Sequence, residues 1–352
     1  MRNLIVPMAG KSSRFPNMRP KWMLTHPKRN KFMVTEAISG LNLDFFDSIY
    51  FVVLSEHERQ YHFTKGFQNE LDGMGIGNKS KIVYLDSQTE SQSETVYQLI
   101  TKENLDGFIF IKDSDGYYKC TLTEDSNQVA YFDLNDMDGI NARTKSYVQM
   151  DVNNVITNIV EKQVISSTFS CGGYGFSDAK EFCLIYENLK QMEGECYISH
   201  IIFEMMLSGS VFHGIESKDF KDWGTLDVWK DYKKEYKTIF CDIDGTLITN
   251  SSIQFPPYVG EGNVIKGNVE YLKKLYDKGK TYIILTTSRP EYMRSVTEDE
   301  MIKYDIPYDQ LVMGLPHCKR VLVNDFARSN LYPSCEAINI PRNSETLEEY
   351  LS

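Results

Sequence analysis

The stretch VPMAGKSSRFPNMRPK, Val6–Lys21, decides how the first two-thirds of this 352-residue chain is read. An apolar run, Leu4–Pro7, has the look of a buried strand. It gives way to small residues, Ala9, Gly10, Ser12 and Ser13, whose backbone N–H groups can approach an anion closely. Lys11, Arg14 and Lys21 add positive charge. Residues 1–40 hold eight Lys or Arg against one acid, Glu36, although the whole chain carries a net charge of -11. A basic block inside an acidic chain suggests a local polyanion site, with a solvated basic face as the bland alternative. The tripeptide GKS at 10–12 mimics the end of a P-loop. That motif needs glycine at position 5, where Ile5 stands, which argues against a kinase of that type.

Outward from this loop, short apolar runs alternate with helical patterns. NLIVPM, SIYFVVL, KIVYL and GFIFIKD read as strands, with KFMVTEAISGL and SETVYQLITKEN as helices between them, predicting a mostly parallel sheet. The closely spaced runs from SYVQMD through VITNIVEKQVISS to CGGYGF predict added antiparallel hairpins. After DWGTLDVWKDYKKEYK a new alternation begins: TIFCDID, a helix near VEYLKKLYDKG, then TYIILTT, RVLVND and AINI. The expectation is an α/β chain of two closely joined domains, 1–235 and 236–352, without a long linker or repeat.

With 41% hydrophobic and 25% charged residues the composition is that of an ordinary globular protein. The acidic balance argues against broad contact with nucleic-acid backbones. The seven cysteines are scattered and never spaced C-x-x-C, which suits reduced thiols in a cytosolic protein. LIVPMAG is too short for a signal peptide and no run approaches a membrane span, so the expected location is cytoplasmic, with no membrane partner.

A second stretch, KTIFCDIDGTL (Lys237–Leu247), reads as a strand ending in Asp242 and Asp244. Paired acids at the C-terminal end of a parallel strand sit where open α/β sheets bind ligands. One carboxylate can attack phosphorus while the other protonates the leaving oxygen, and their mutual repulsion implies Mg²⁺. A local Asx-type turn is the alternative. YIILTTSRP supplies Thr287 and Ser288; PHCKRVLVNDF supplies Lys319 and Asp325. These pieces resemble the motifs of the haloacid dehalogenase superfamily of phosphatases, over about residues 237–352. The resemblance implies Asp242 as the phosphorylated nucleophile and Asp244 as acid-base. It implies Thr287, Ser288 and Lys319 on the phosphoryl group, and Asp242, Asp244 and Asp325 around the metal. Asn324 departs from the paired acids of the last motif. TNSSIQFPPYVGEGN is either a flap or a loop.

In the first domain, AGKSSRF followed by RPK resembles the sugar-phosphate nucleotidyltransferases, a likeness that continues to about residue 232. It implies a Rossmann-like domain with a mixed sheet, followed by the small Rossmannoid haloacid dehalogenase-like domain. By the same resemblance Arg14 and Lys21 are catalytic, stabilising charge on the phosphates. Ala9, Gly10, Lys11, Ser12, Ser13, Gln88, Gln92 and Ser93 would hold the nucleotide. Asp115, with Asp113 as alternate, and Asp222 would hold Mg²⁺, and Glu161, Lys162 and Gly173 would line the sugar-phosphate side. Together the two likenesses imply a bifunctional enzyme with one Mg²⁺ in each domain, similar to enzymes of bacterial surface-polysaccharide supply. Its nucleotidyl donor would be an NTP, CTP first, its acceptor a phosphorylated sugar, polyol or small alcohol, and its second activity phosphomonoester hydrolysis. Self-association is left open. The rivals are a nucleic-acid end-repair phosphatase and a phosphatase carrying a non-catalytic nucleotide sensor.

Overall fold

The computed structural model describes all residues except 11–13, 16–17, 28–30, 137–144, 192–193, 326–334 and 352. Lys11, Ser12 and Ser13, expected at the nucleotide, therefore lie outside the described residues. The chain divides into two compact units, Met1–Lys233 and Lys234–Ser352. No helix among the described residues is long and apolar enough to cross a membrane.

The strands of the first unit are β1 (Arg2–Pro7), β2 (Ser48–Leu54), β3 (Ser80–Leu85), β4 (Phe108–Lys112), β5 (Gly116–Lys119) and β6 (Gln128–Asp133). They continue with β7 (Ser146–Met150), β8 (Ile156–Glu161), β9 (Thr168–Phe176), β10 (His213–Glu216) and β11 (Lys218–Asp222). Nine of them form one sheet in the order β10-β6-β9-β4-β1-β2-β3, with β7 on β9 and β8 on β7. β4, β1, β2 and β3 run parallel; β9 is antiparallel to both β4 and β6. Helices Gln92–Glu103 and Ala179–Leu189 are among those that cover the sheet.

Side-chain alternation splits the core between the two faces. Ile5, Val52, Ile109 and Ile111 join one cluster; Leu4, Val6, Phe51, Phe108 and Phe110 join the other. β5 and β11 form a separate antiparallel ribbon.

The second unit is built on three parallel strands in the order β12 (Lys237–Asp242), β13 (Thr281–Thr286) and β14 (Gln310–Val312). Its core gathers Cys241, Ile243, Leu247, Ile283 and Leu285 with Val269 and Leu272 of helix Lys266–Asp277. The strands expected at RVLVND and AINI do not form. Val321, Leu322 and Val323 are exposed and make no ladder. β-branched residues favour a strand only where a partner edge and a packing face receive them.

Gly173, expected on the substrate side, is a packing residue instead. It lies opposite Lys112 of β4 and Ala130 of β6, and a Cβ there would fall 2.0 Å from the Tyr118 hydroxyl oxygen. Its lack of a side chain makes room for that ring. All seven cysteines are free thiols; Cys120, Cys171, Cys196 and Cys241 are buried, whereas Cys318 and Cys335 are exposed. Gly173→Ala should cost about 1–3 kcal/mol of stability by overpacking, with part recovered when Tyr118→Phe is added. Urea unfolding of both variants is the measurement, and an unchanged midpoint for Gly173→Ala would refute the packing role.

Candidate active sites

β4 ends at Lys112, and the chain turns through Asp113, Ser114 and Asp115 into β5. The β5–β11 ribbon sets Gly116 opposite Asp222, and Trp223 N–H donates to the Asp115 carbonyl at 2.8 Å. Two acids 107 positions apart in sequence are thereby brought to one place. A methyl added to Gly224 would lie 3.0 Å from Asp222 Oδ1 and 3.4 Å from both Asp115 Oδ2 and Arg14 Nη1. These three side chains therefore converge on the space that glycine leaves open.

Each acid carries a lysine. Lys21 Nζ donates to Asp115 Oδ2 at 2.5 Å, and Lys145 Nζ to Asp222 Oδ2 at 2.5 Å. Lys21 opens a short 3₁₀ turn whose next residues, Trp22 and Met23, are buried in the core and anchor it. Burial works to raise the Asp115 carboxyl, but Lys21, Arg14 and Lys145 outweigh it and hold it well below the usual carboxylate range. Asp113 differs. Burial and the charge of Asp115 push its carboxyl up. Its Oδ1 accepts from Gln92 Nε2 at 2.5 Å, and Gly172, at φ +83, presses so closely that a Cβ would meet Oδ2 at 2.3 Å. Of the two alternatives, Asp115 is the one beside Asp222.

Among the described residues no three His, Cys, Asp or Glu gather to hold a metal. In the first unit the open cradle flanked by Asp115 and Asp222 still suits Mg²⁺, which takes one or two carboxylates and completes its shell with substrate phosphates and water. Asp113, turned to Gln92, does not join them.

The other expected residues of this unit separate. Ala9 is buried, while Gly10, Arg14 and Gln88 are exposed. Gln92, expected at the nucleobase, orients Asp113. Ser93 is fully buried, and its hydroxyl is used by the Cys196 carbonyl and Ser91, the N-cap of its own helix. It has no donor left for a nucleotide, which corrects that expectation. Glu161 accepts from Ser199 Oγ at 2.9 Å and from Ser146. Lys162, at φ 57, donates to the Tyr197 hydroxyl with its ammonium 4.2 Å from that ring's centre. Lys145 was not foreseen; nothing in DGINARTKSY distinguishes it. Lys112 carried a legible signal, a cation inside the apolar run FIFIK directly ahead of two acids.

In the second unit Asp242 closes β12 opposite Thr286 of β13, at the C-terminal edge of the parallel sheet. Gly245, at φ +92, permits the turn that follows. Asp244 accepts from Ser251 Oγ at 2.8 Å, Thr287 Oγ1 at 2.9 Å, and Arg289 Nε and Nη2 at 3.0 and 2.8 Å. Arg289 is buried and also donates to Glu300 Oε2 at 2.5 Å. Burial pushes the Asp242 carboxyl up, against the pull of Arg320, whose Nη1 donates to Asp242 Oδ1 at 2.8 Å.

Arg320, the neighbour of the expected Lys319, is thus the cation on Asp242; Lys319 is exposed, and Ser288 is half-buried beside Thr287. Asp325 does not gather with Asp242 and Asp244. The segment that was to carry it to the sheet's end is not a strand, and arginines already neutralise both aspartates. Among the described residues Asp242, Asp244 and Asp325 do not form the expected second Mg²⁺ site.

Neither a protein-family model nor a curated protein matches the chain. Solved structures do. A nucleoside-diphosphate-sugar pyrophosphorylase from Vibrio cholerae superposes with a TM-score of 0.55 at 21% identity, covering 66% of this chain and 99% of its own. An inositol-1-phosphate CTP transferase from T. maritima gives 0.51 at 14% identity, covering 66% and 94%. A UDP-glucose pyrophosphorylase complexed with UDP-glucose also gives 0.51 at 14%, covering 66% and 97%. The matched share is the length of Met1–Lys233. At such identities the likeness is one of fold.

Proposed function

We propose that the first unit transfers a nucleotidyl group from an NTP to a phosphorylated sugar, polyol or small alcohol, releasing pyrophosphate. The observation that carries this reading is the convergence of Asp115, Asp222 and Arg14 on the space at Gly224, with Lys21 and Lys145 on the two acids. An acceptor phosphate oxygen attacks the α-phosphorus and pyrophosphate departs, with no covalent enzyme intermediate. Positioning and charge neutralisation then carry the catalysis. Mg²⁺ held by Asp115 and Asp222 would supply neutralisation of the triphosphate. Lys21 and Lys145, point charges on flexible stems, can turn from carboxylate to phosphate oxygen when the triphosphate enters, while Arg14 faces the same space.

Glu161, fixed by two serine hydroxyls, is suited to accept from an acceptor hydroxyl, and Lys162 to meet its phosphate. A pyrimidine triphosphate, CTP first, is the proposed donor; the fold likeness to a CTP transferase and a UDP-glucose pyrophosphorylase supports it. Supply of surface-polysaccharide precursors is the proposed role.

For the second unit we propose phosphomonoester hydrolysis in two steps: Asp242 attacks phosphorus while Asp244 hands a proton to the leaving oxygen, and water, giving up a proton to Asp244, then cleaves the aspartyl phosphate to free phosphate and Asp242. Support comes from the two acids at the strand end and from the donors around them, Thr287, Arg289 and Arg320. Arg289 fixes the orientation of Asp244.

Lys21→Ala and Asp115→Ala should each lower pyrophosphate release by about a hundredfold, the scale of losing one preorganised charge-stabilising group. Unchanged release from either would move the site elsewhere. Asp242→Asn should abolish phosphatase activity and leave nucleotidyl transfer intact; equal loss of both in a folded variant would contradict two separate sites. A screen of four NTPs against sugar, polyol and alcohol phosphates should find CTP turned over fastest, and a clear preference for ATP or GTP would refute the donor assignment.

A further inference from the structure

We propose that Lys112 is a positioning residue for nucleotidyl transfer, a buried clamp that sets the shape of the turn presenting Asp115. The inference rests on the nucleotidyl-transfer reading and adds a residue to it.

Three observations lead to it. Lys112 is completely buried, on the same face of β4 as Phe108 and Phe110, where an apolar side chain would be the ordinary occupant. Its Nζ donates to the carbonyls of Asp113 and Gly116, at 2.8 and 2.6 Å. Those carbonyls stand at the two ends of the turn that holds Asp115, so one side chain ties both ends together. The remaining face of the ammonium lies 4.5 Å from the centre of the Tyr118 ring. The niche is prepared on the opposite strand, where Gly173 faces Lys112 and leaves Tyr118 its space.

Taking an ammonium out of water is costly unless its hydrogen bonds are made inside. Here they are made to backbone atoms of the acid-bearing turn, and no carboxylate receives them. Asp113 N–H is meanwhile held by the Gly172 carbonyl at 2.8 Å, and Trp223 N–H by that of Asp115. With Lys112 in place, the backbone of the turn is fixed from three sides. Without it, the carbonyls of Asp113 and Gly116 are free to rotate, and the Asp115 carboxylate loses its register with Asp222 across the ribbon. A small misplacement at that point is expensive in rate.

The test compares wild type, Lys112→Met and Lys112→Gln in the full chain, measuring pyrophosphate release against CTP and against Mg²⁺ concentration, with thermal unfolding alongside. The methionine fills the volume and offers no donor; the glutamine keeps two N–H groups without charge. Lys112→Met should lower kcat about a hundredfold and raise the Mg²⁺ concentration for half-maximal rate at least about tenfold, with KM for CTP changed less than about threefold. Lys112→Gln should recover about tenfold of the lost kcat. If Lys112→Met does not fold, the glutamine variant decides: a folded Lys112→Gln with kcat about tenfold below wild type and a raised Mg²⁺ requirement upholds the clamp, and wild-type kcat and Mg²⁺ dependence in that variant overturn it. An unchanged kcat and Mg²⁺ dependence in a folded Lys112→Met overturns it. So does a kcat loss with unchanged Mg²⁺ dependence and no rescue by glutamine, the pattern of a merely structural lysine. Absence of pyrophosphate release from the wild type with every NTP and acceptor would instead overturn the nucleotidyl-transfer reading beneath it.

Discussion

Everything in the first unit is arranged around β4, the seam where a parallel sheet meets an antiparallel one. It is hydrogen-bonded on one side to parallel β1 and on the other to antiparallel β9, and all five of its residues are buried. A strand flanked on both sides can continue only by leaving the sheet at its end. That exit is the Asp113–Gly116 turn. Because β1 ends at the same edge, its loop delivers Arg14 and Lys21 to where the turn delivers Asp115. Placement of charged groups at the carboxyl ends of parallel strands is what open α/β sheets allow, since only there do loops converge without backbone obstruction.

The two units meet the same problem, clustered carboxylates, with different cations. The first uses lysines, each on one oxygen of one acid. Lysine is a compact point charge that can exchange one oxyanion for another at small geometric cost. The second uses arginine as a fixed brace: Arg289 is shared between Asp244 and Glu300, its side chain 2% exposed. A planar fork held at both ends does not exchange easily. Arg320 on Asp242 is the looser member, with 43% of its side chain exposed. The ion pairs of the first unit are therefore of the exchangeable kind, whereas in the second Asp244 is held by a buried fork and Asp242 is paired with a solvent-exposed arginine.

Much of this was legible in the sequence, for identifiable reasons. The runs NLIVPM, SIYFVVL and GFIFIKD become β1, β2 and β4 because their apolar content suits strands buried on both faces, and KIVYL becomes the half-buried edge strand β3. Lys21, Asp115 and Asp222 could be named together only through the resemblance of their motifs to the nucleotidyltransferases; what brings the two acids to one place is the β5–β11 ribbon, which sets Gly116 opposite Asp222. Gly173 was misread because its reason is the Tyr118 ring, which reaches it only in three dimensions. Ser93 was misread because a hydroxyl at a helix start looks the same whether it faces a ligand or a buried carbonyl. VLVND was taken as a strand on composition, although a strand needs a partner edge that composition does not supply. Lys145 was invisible since only folding brings it to Asp222.

The free thiols described above divide the chain chemically. Nucleophilic sulfur is thiolate, so reactivity follows ease of ionisation and access. Burial pushes Cys120 up to about 11 and Cys171 and Cys241 up to about 12. Those sulfurs are shielded and held as thiols at neutral pH. Cys318 and Cys335 are exposed, and both belong to the second unit. Cys183 of the first unit is half-buried, with burial pushing its thiol up to about 11, so a maleimide dye or spin label added to the native protein would react first on the second unit and spare the β4 turn, giving an optical handle on one half of the molecule without a single engineered residue.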